Sequence, residues 1–377
     1  MKFYIETIGC QQNEYDASRL AMFLKSAGLD EVRDPKLADA IFIFACSVRQ
    51  TAVDRIFGRI RNWSQLRQGM VGQANKKIFI TACVTEDDKQ KLEQKGVIYF
   101  SDFEALRTLL VYCKTNNVRI TSGRTKYVPI MSGCNNFCSY CIVPYLRGRE
   151  KSRPVKEIIT EVKRLLVYFR TCQYESKPEI VLLGQNVNSY KINQKSKIKY
   201  PACQQAWQND NAKYKNKKTD FTKLLEKLNN LPGDFRIGFL TNHPKDMSDD
   251  IIEAVAKLPK VKKEIHLPLQ SGSDKILRAM NRPYTSEQYL KLVENCRLKI
   301  ENLILTTDII VGFPGETEKD FQKTVNVCKK AKFNLAYINK YSPRKGTAAY
   351  KLGDPIPWRE KQRRWKILNE LINKSQK

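Results

Sequence analysis

Short apolar runs separated by longer amphipathic stretches set the rhythm of this chain of 377 residues. Near the start, Phe3–Thr7, Ala40–Ala45 and Lys77–Thr81 are brief runs rich in β-branched and aromatic residues. Runs of that kind read as parallel strands buried on both faces. Between them, Asn13–Ala27 and Arg49–Leu66 repeat apolar positions at helical spacing. From about residue 124 the alternation lengthens. Strands are expected at Lys126–Met131, Glu179–Leu183, Phe235–Leu240, Glu264–Leu267, Leu303–Val311 and Ala336–Tyr341. Helices are expected at Val155–Phe169, Phe221–Asn229, Asp249–Lys257, Ser286–Lys299 and Glu318–Ala331. The pattern predicts the α/β class, with two domains as the expectation for this length.

The stretch 191–219 interrupts this rhythm. It holds eight lysines against one acid, Asp210, with little beyond Cys203, Trp207 and a few tyrosines to pack. It reads as a mobile insertion, either a solvated loop or an arm that meets phosphates while Tyr200, Trp207 and Tyr214 stack on bases. The chain ends in a basic helical pattern, Pro357–Asn373.

Cysteines mark the candidate chemistry. One follows each of the first three expected strands: Cys10, Cys46 and Cys83, separated by 36 and then 37 residues. That is about one βαβ step, and a parallel sheet brings all its strand C-termini to one edge. Three distant thiols are therefore expected on one rim, as a three-thiolate site or as thiols that merely pack. A denser group, Cys134, Cys138 and Cys141, lies on one short loop in the spacing C-x₃-C-x₂-C. Soft thiolates favour iron–sulfur clusters or zinc, and a structural zinc site is normally closed by a fourth ligand. The two histidines of the chain, His243 and His266, are remote in sequence. The loop is expected to grip three irons of a cubane cluster and leave the fourth open.

Composition narrows the setting. No apolar run approaches the eighteen or so residues of a membrane span, and the opening Met-Lys-Phe-Tyr-Ile-Glu turns acidic too early for a secretory signal. A cytoplasmic protein is expected, whose eleven cysteines are ligands and core thiols rather than disulfides. The net charge of +28 attracts polyanions. A lysine-rich surface without function would carry the same charge, but an RNA partner accounts for it better.

The wording around the thiols, Tyr127-Val-Pro-Ile-Met-Ser-Gly-Cys134-Asn-Asn-Phe-Cys138-Ser-Tyr-Cys141-Ile-Val-Pro-Tyr-Leu-Arg-Gly-Arg149, resembles the radical S-adenosylmethionine (SAM) methylthiotransferases, closest to the MiaB type that acts on tRNA. Further matching stretches are Gly9-Cys-Gln-Gln-Asn13, Cys46-Ser-Val-Arg49, Leu183-Gly-Gln-Asn-Val-Asn-Ser-Tyr190, Leu267-Pro-Leu-Gln-Ser-Gly-Ser273, Met280-Asn-Arg282, Asp308-Ile-Ile-Val-Gly-Phe-Pro-Gly-Glu-Thr317 and Tyr341-Ser-Pro-Arg344. The resemblance implies an N-terminal parallel-sheet domain of Rossmann or flavodoxin type over residues 1–120. A partial (β/α)₆ TIM-type radical SAM barrel would follow over 121–356, with the basic helix and tail at 357–377. Relatives usually continue into a β-barrel RNA-binding module, the TRAM domain, which is not expected here. Smaller departures are Thr81-Ala82-Cys83, where Gly commonly precedes the Cys, and Asn242-His243-Pro244, where Ser-His-Pro is usual.

The resemblance also implies cofactors and roles. Two 4Fe–4S clusters are expected, one on Cys134, Cys138 and Cys141, the other on Cys10, Cys46 and Cys83 as sulfur source. S-adenosylmethionine would be cleaved to a 5′-deoxyadenosyl radical that attacks an inert aromatic C–H, while a second molecule methylates the sulfur. Gly184, Gln185 and Asn186 are candidates for its methionine end, and Gly312, Phe313, Pro314 and Gly315 for its adenosine part. Both glycine stretches would equally serve as strand-to-helix turns. Arg147, Arg149 and Arg153 flank the cluster loop and are candidates for substrate phosphate or for structural pairing. Expected partners are tRNA, an external electron donor of flavodoxin or ferredoxin type and a sulfur donor, with no membrane, for a monomer. The expected product is 2-methylthio-N6-isopentenyladenosine beside the anticodon. Alternatives are the same chemistry on threonylcarbamoyl-adenosine or on a ribosomal-protein aspartate, and a non-catalytic metal-bearing RNA-binding protein. Cys113, Cys172, Cys203, Cys296 and Cys328 lack ligand spacing.

Overall fold

The computed structural model describes residues 1–26, 28–46, 50–65, 77–100, 124–171, 177–192 and 218–374. The lysine-rich insertion lies almost wholly outside the described residues, as do Cys113, Cys172 and Cys203. The chain divides into two compact units, Met1–Gly123 and Arg124–Lys377.

The first unit is a five-stranded parallel sheet. Its strands are β1 (Lys2–Ile8), β2 (Asp30–Glu31), β3 (Ala40–Cys46), β4 (Lys77–Cys83) and β5 (Val97–Tyr99), in the order β2-β1-β3-β4-β5. This is the flavodoxin-like order. The unbroken apolar run of β3 follows from burial on both faces. Ala40, Phe42 and Phe44 pack with Ala17, Leu20, Ala21 and Leu24 of helix Gln11–Ser26. Ile41, Ile43 and Ala45 pack with Ile56, Ile60 and Trp63 of helix Gln50–Gln65. β2 and β5 were not expected, because edge strands of two and three residues are too short to carry a period.

In the second unit, β6 (Thr125–Pro129), β9 (Glu179–Leu183) and β10 (Arg236–Phe239) form one parallel sheet. A second comprises β11 (Glu264–His266), β12 (Ile304–Val311) and β13 (Leu335–Lys340). A parallel bridge from Ile237 to Val261 joins the two. Six parallel strands thus follow one another in chain order with helices between them. Among the described residues no ladder closes β13 onto β6, so the barrel is partial. The expected strand Lys126–Met131 is broken: after Pro129 the chain turns, and β7 (Met131–Ser132) pairs antiparallel with β8 (Lys151–Ser152). That pairing makes a stem whose end is the cysteine loop.

The terminal helix Trp358–Asn369 covers the open edge. Leu368 and Ile372 enter the main core, and Trp365 donates its indole N–H to the Ile338 carbonyl at 3.0 Å. The Asn373 amide brackets Ala336 of β13, accepting from its N–H and donating to its carbonyl, both at 2.9 Å. An edge strand so covered offers no template for further pairing. Among the described residues no helix is long and apolar enough to cross a membrane.

Candidate cluster sites

The loop carrying Cys134, Cys138 and Cys141 is fastened along its whole length. Gly133 sits at φ +73°, where a Cβ would lie 2.1 Å from the Arg149 carbonyl oxygen, so only glycine fits. The Cys134 N–H donates to the Gly148 carbonyl at 3.1 Å. The Asn135 backbone N–H and side chain both donate to the Glu150 carboxylate, whose own N–H returns a bond to Asn135. A tight turn brings the Cys141 N–H to the Cys138 carbonyl at 2.9 Å. A second clamp comes from Met280-Asn-Arg282. Ser139 donates its hydroxyl to Ala279 and its N–H to Met280, while Asn281 donates its amide to the carbonyls of Asn136 and Phe137.

Cys134 is buried, and Cys138 and Cys141 are half-buried. Burial pushes the Cys134 thiol up to about 11 and the Cys141 thiol up to about 12, and each also feels Cys138 electrostatically. They are thiols at neutral pH until a metal displaces their protons. Among the described residues no three Cys, His, Asp or Glu side chains converge on the position of a single ion. A cubane asks for something different, since each thiolate ligates its own iron. Three soft donors on one braced loop suit that group.

Around the loop, these buried polar atoms lack protein partners among the described residues: Asn136 Oδ1, Gln185 Oε1, Asn186 Oδ1, Asn242 Oδ1, His243 Nε2 and Arg282 Nε. Buried polar groups are rarely left so. Orphans gathered after the C-terminal ends of β6, β9, β10 and β11 suit a polar ligand such as S-adenosylmethionine. Asn186 also donates to Asp246 at 2.6 Å. His243 is fully buried, and its Nδ1 accepts from the Lys245 N–H at 3.2 Å. Burial, with the Arg282 and Lys245 charges, holds its imidazole well below the usual histidine range. It is therefore neutral, with its proton on Nε2. Gly184 is required by packing, since a Cβ there would stand 2.5 Å from Met131 Cγ.

The glycine stretch after β12 answers chiefly to protein neighbours. Gly312 has φ +74°, and a Cβ would meet Lys361 Cγ at 2.4 Å. Its N–H donates to Glu316 at 2.6 Å, and Arg364 donates to the same carboxylate oxygen at 2.7 Å. Phe313 is buried 5.2 Å from the Tyr341 ring. Pro314 is buried beside it, and Gly315, at φ +84°, is exposed. Of the three arginines, Arg153 is committed to Glu161 at 2.8 Å and to the Pro129 carbonyl at 2.6 Å. Arg147 lies half-buried on helix Val143–Arg147. Arg149 is exposed, with its guanidinium 4.3 Å above the Phe137 ring.

In the first unit, β3 and β4 set Cys46 opposite Cys83 in the ladder, at the C-terminal edge. Both are buried, and Cys10 is exposed just past the end of β1. Gly9 passes so close that a Cβ would lie 3.0 Å from Cys46 Cβ and 2.1 Å from Asn13 Nδ2. Asn13, wholly buried, donates to the Ala45 carbonyl at 2.8 Å and tethers the Cys10 turn to β3. Its role had no signal in the sequence beyond a place in Gly9-Cys-Gln-Gln-Asn13. Cys296 and Cys328 lie in the core of the second unit.

Residues 128–328 match the Radical SAM superfamily, and residues 2–100 match the Uncharacterized protein family UPF0004. The chain is 37% identical over 397 residues to the tRNA-2-methylthio-N(6)-dimethylallyladenosine synthase of Clostridium botulinum strain Okra, covering 99% of this chain and 81% of that protein. It is 36% identical over 394 residues to the protein of the same name from Thermotoga petrophila, covering 98% and 81%. The chain belongs to the radical SAM methylthiotransferase family. Its architecture is similar to that of the radical SAM methyltransferase TsrM of Kitasatospora setae, with a TM-score of 0.60 at 11% identity over 93% of this chain and 77% of that one. At that identity the likeness speaks for the fold alone. The cofactors of this methylthiotransferase family are 4Fe–4S clusters and S-adenosylmethionine.

Proposed function

We propose that this chain installs a methylthio group at C2 of the N6-isopentenyladenosine beside the anticodon of tRNA, using two S-adenosylmethionine molecules per product. The observation that carries the reading is the second thiol set. Cys46 and Cys83 share a ladder position at the sheet edge, with Cys10 just past the end of β1. Radical chemistry alone needs only the loop cluster, whereas insertion of sulfur needs a source, and this edge suits the cluster that provides it.

On this reading Cys134, Cys138 and Cys141 hold the first cluster through three irons. When bound, it supplies the electron that cleaves S-adenosylmethionine to methionine and a 5′-deoxyadenosyl radical able to take hydrogen from an unactivated carbon. Gln185 and Asn186, with their orphaned oxygens, and the Gly184 turn receive the methionine end, while Gly312–Gly315 line the adenosine part. Neutral His243 presents a donor N–H to the same polar pocket. The net charge of +28 attracts the RNA. Exposed Arg149, and Arg147, suit phosphate better than Arg153, whose guanidinium is already engaged. An adenosine in a single-stranded loop can be splayed out at low unstacking cost. The electron comes from an outside donor of flavodoxin or ferredoxin type and the sulfur from a separate donor. The protein acts as a cytoplasmic monomer.

The test is anaerobic reconstitution followed by turnover on isopentenylated tRNA. The protein should bind about eight irons, and nucleoside mass spectrometry should show the 2-methylthio product. Replacing Cys10, Cys46 and Cys83 by Ala should leave deoxyadenosine formation but abolish methylthio transfer. Unmodified C2 in the wild-type reaction would refute the proposal.

A further inference from the structure

Among the described residues Arg282 is a cation buried without a carboxylate counter-ion. It is 5% exposed. Its Nη1 donates to Cys138 Sγ at 3.7 Å and its Nη2 to the Pro268 carbonyl at 3.3 Å, while the guanidinium stands 5.6 Å from the Tyr284 ring. Its Nε has no partner. Among the described residues no carboxylate pairs with it, and the groups that act on its charge are Tyr140, Tyr284, Cys138 and Cys141. An arginine cannot shed its proton, and an unpaired buried charge is heavily penalised. Asn281, next to it, ties the same segment to the thiol loop through two carbonyls. The guanidinium is therefore held beside the thiol loop, where it meets whatever negative charge gathers there.

We propose that Arg282 is a positioning residue for the loop cluster: its guanidinium is the fixed counter-charge of the thiolate-ligated irons, and it raises their reduction potential. This rests on the cluster assignment made above. A cluster held by three thiolates is anionic, and adding one electron without a proton makes it more so. A permanent cation in contact with a ligating sulfur, shielded from water, stabilises the reduced form more than the oxidised form. The N–H···S bond acts in the same direction by withdrawing charge from the Cys138 sulfur.

The test is a redox titration followed by electron paramagnetic resonance. It is made on the reconstituted full chain with Cys10, Cys46 and Cys83 replaced by Ala, so that one cluster contributes the signal. Arg282→Gln should lower the ratio of reduced to oxidised cluster at least tenfold at any fixed potential, a midpoint shift of about 59 mV or more for one electron. Arg282→Lys, which keeps the charge, should recover most of that loss. If Arg282→Gln cannot hold iron while Arg282→Lys can, the charge requirement is supported as well. Equal midpoints for wild type and Arg282→Gln would overturn the proposal, as would equal loss of iron in both variants. An iron-free loop in the parent chain would overturn the cluster assignment itself. Tyr284→Phe is the structural control, expected to leave the midpoint unchanged because it removes no charge.

Discussion

Replacing Arg364 by Met leaves a carboxylate stranded between the loop after β12 and the terminal helix. In the wild type Arg364 donates to Glu316 at 2.7 Å and to Glu360 at 2.7 Å, and the Arg364 and Glu316 side chains are 5% and 1% exposed. Burial raises the Glu316 carboxyl above its usual range, while the Gly312 N–H and the Arg364 guanidinium oppose that rise. Removing one partner of a buried ion pair costs about 3–5 kcal/mol, because the other charge stays desolvated. For a unit of this size each kcal/mol moves the melting temperature by about 2–4 °C, so Arg364→Met should melt about 6–20 °C lower. Adding Glu316→Gln should restore at least about 2 kcal/mol, within the range of measured couplings between contacting residues. The pH dependence follows. A carboxyl whose folded pKa is raised binds its proton more tightly folded than unfolded, so it adds stability as pH falls. Loss of the Arg364 charge, which lowers the Glu316 pKa, raises it further in the variant, so the Arg364→Met deficit should shrink from pH 7.5 to pH 5.5. Thermal unfolding by circular dichroism of the four proteins of the cycle measures this. A deficit below about 1 kcal/mol, no rescue by Glu316→Gln, or a deficit that grows on acidification would refute the reasoning.

Four further outcomes follow from the site geometry. Gly133→Ala would force a Cβ to 2.1 Å from the Arg149 carbonyl at a left-handed φ, so reconstituted protein should lose about half its iron. Gly9→Ala, which crowds Asn13 and Cys46, should lose the other half, and iron assays on both variants test the pair. Neutral, buried His243 gives the cluster-free protein a stability that is full above the unfolded pKa of about 6.5 and declines below it, as the unfolded chain takes up a proton. From pH 7.5 to 5.5 the wild type should lose about 1 kcal/mol more than His243→Asn in denaturant titrations. Asn281→Ala removes two side-chain bonds to the cysteine loop. It should cost about 1–3 kcal/mol and speed loss of the loop cluster under chelator, followed by its visible absorbance.

Much of the fold was legible because the first sheet is buried on both faces. A strand like Ala40–Cys46, apolar throughout, can belong to little else. The thiol loop was legible because its three cysteines are local, within eight residues of one another. The edge strands β2 and β5 were not, since pairs of two or three residues are selected by their neighbours rather than by their own pattern. The break after Pro129 leaves no mark in the sequence, because Ile130 and Met131 are as apolar as a continuing strand would be. Pro357–Asn373 reads as a basic helix, and a helix Trp358–Asn369 forms there, but nothing in the sequence marks which of its charges are buried. Yet Lys361 is buried, donating to the Tyr341 carbonyl and to Asp354, and Arg364 is buried on Glu316. A charged side chain buried on a partner far along the chain leaves the same letter in the sequence as one in water.

By itself, the sequence determined which chemistry is possible here: which residues can ligate iron, where strands and helices alternate, and what sign of charge a partner meets. Those properties reside in residue types and short spacings, which survive without the fold. Only tertiary structure decided which polar atoms were left without partners, that Arg282 stands against the Cys138 sulfur, and that the terminal helix locks the glycine loop after β12. Such facts arise from contacts between segments far apart in the chain. Their energies depend on how completely water is excluded, a property that no single residue carries.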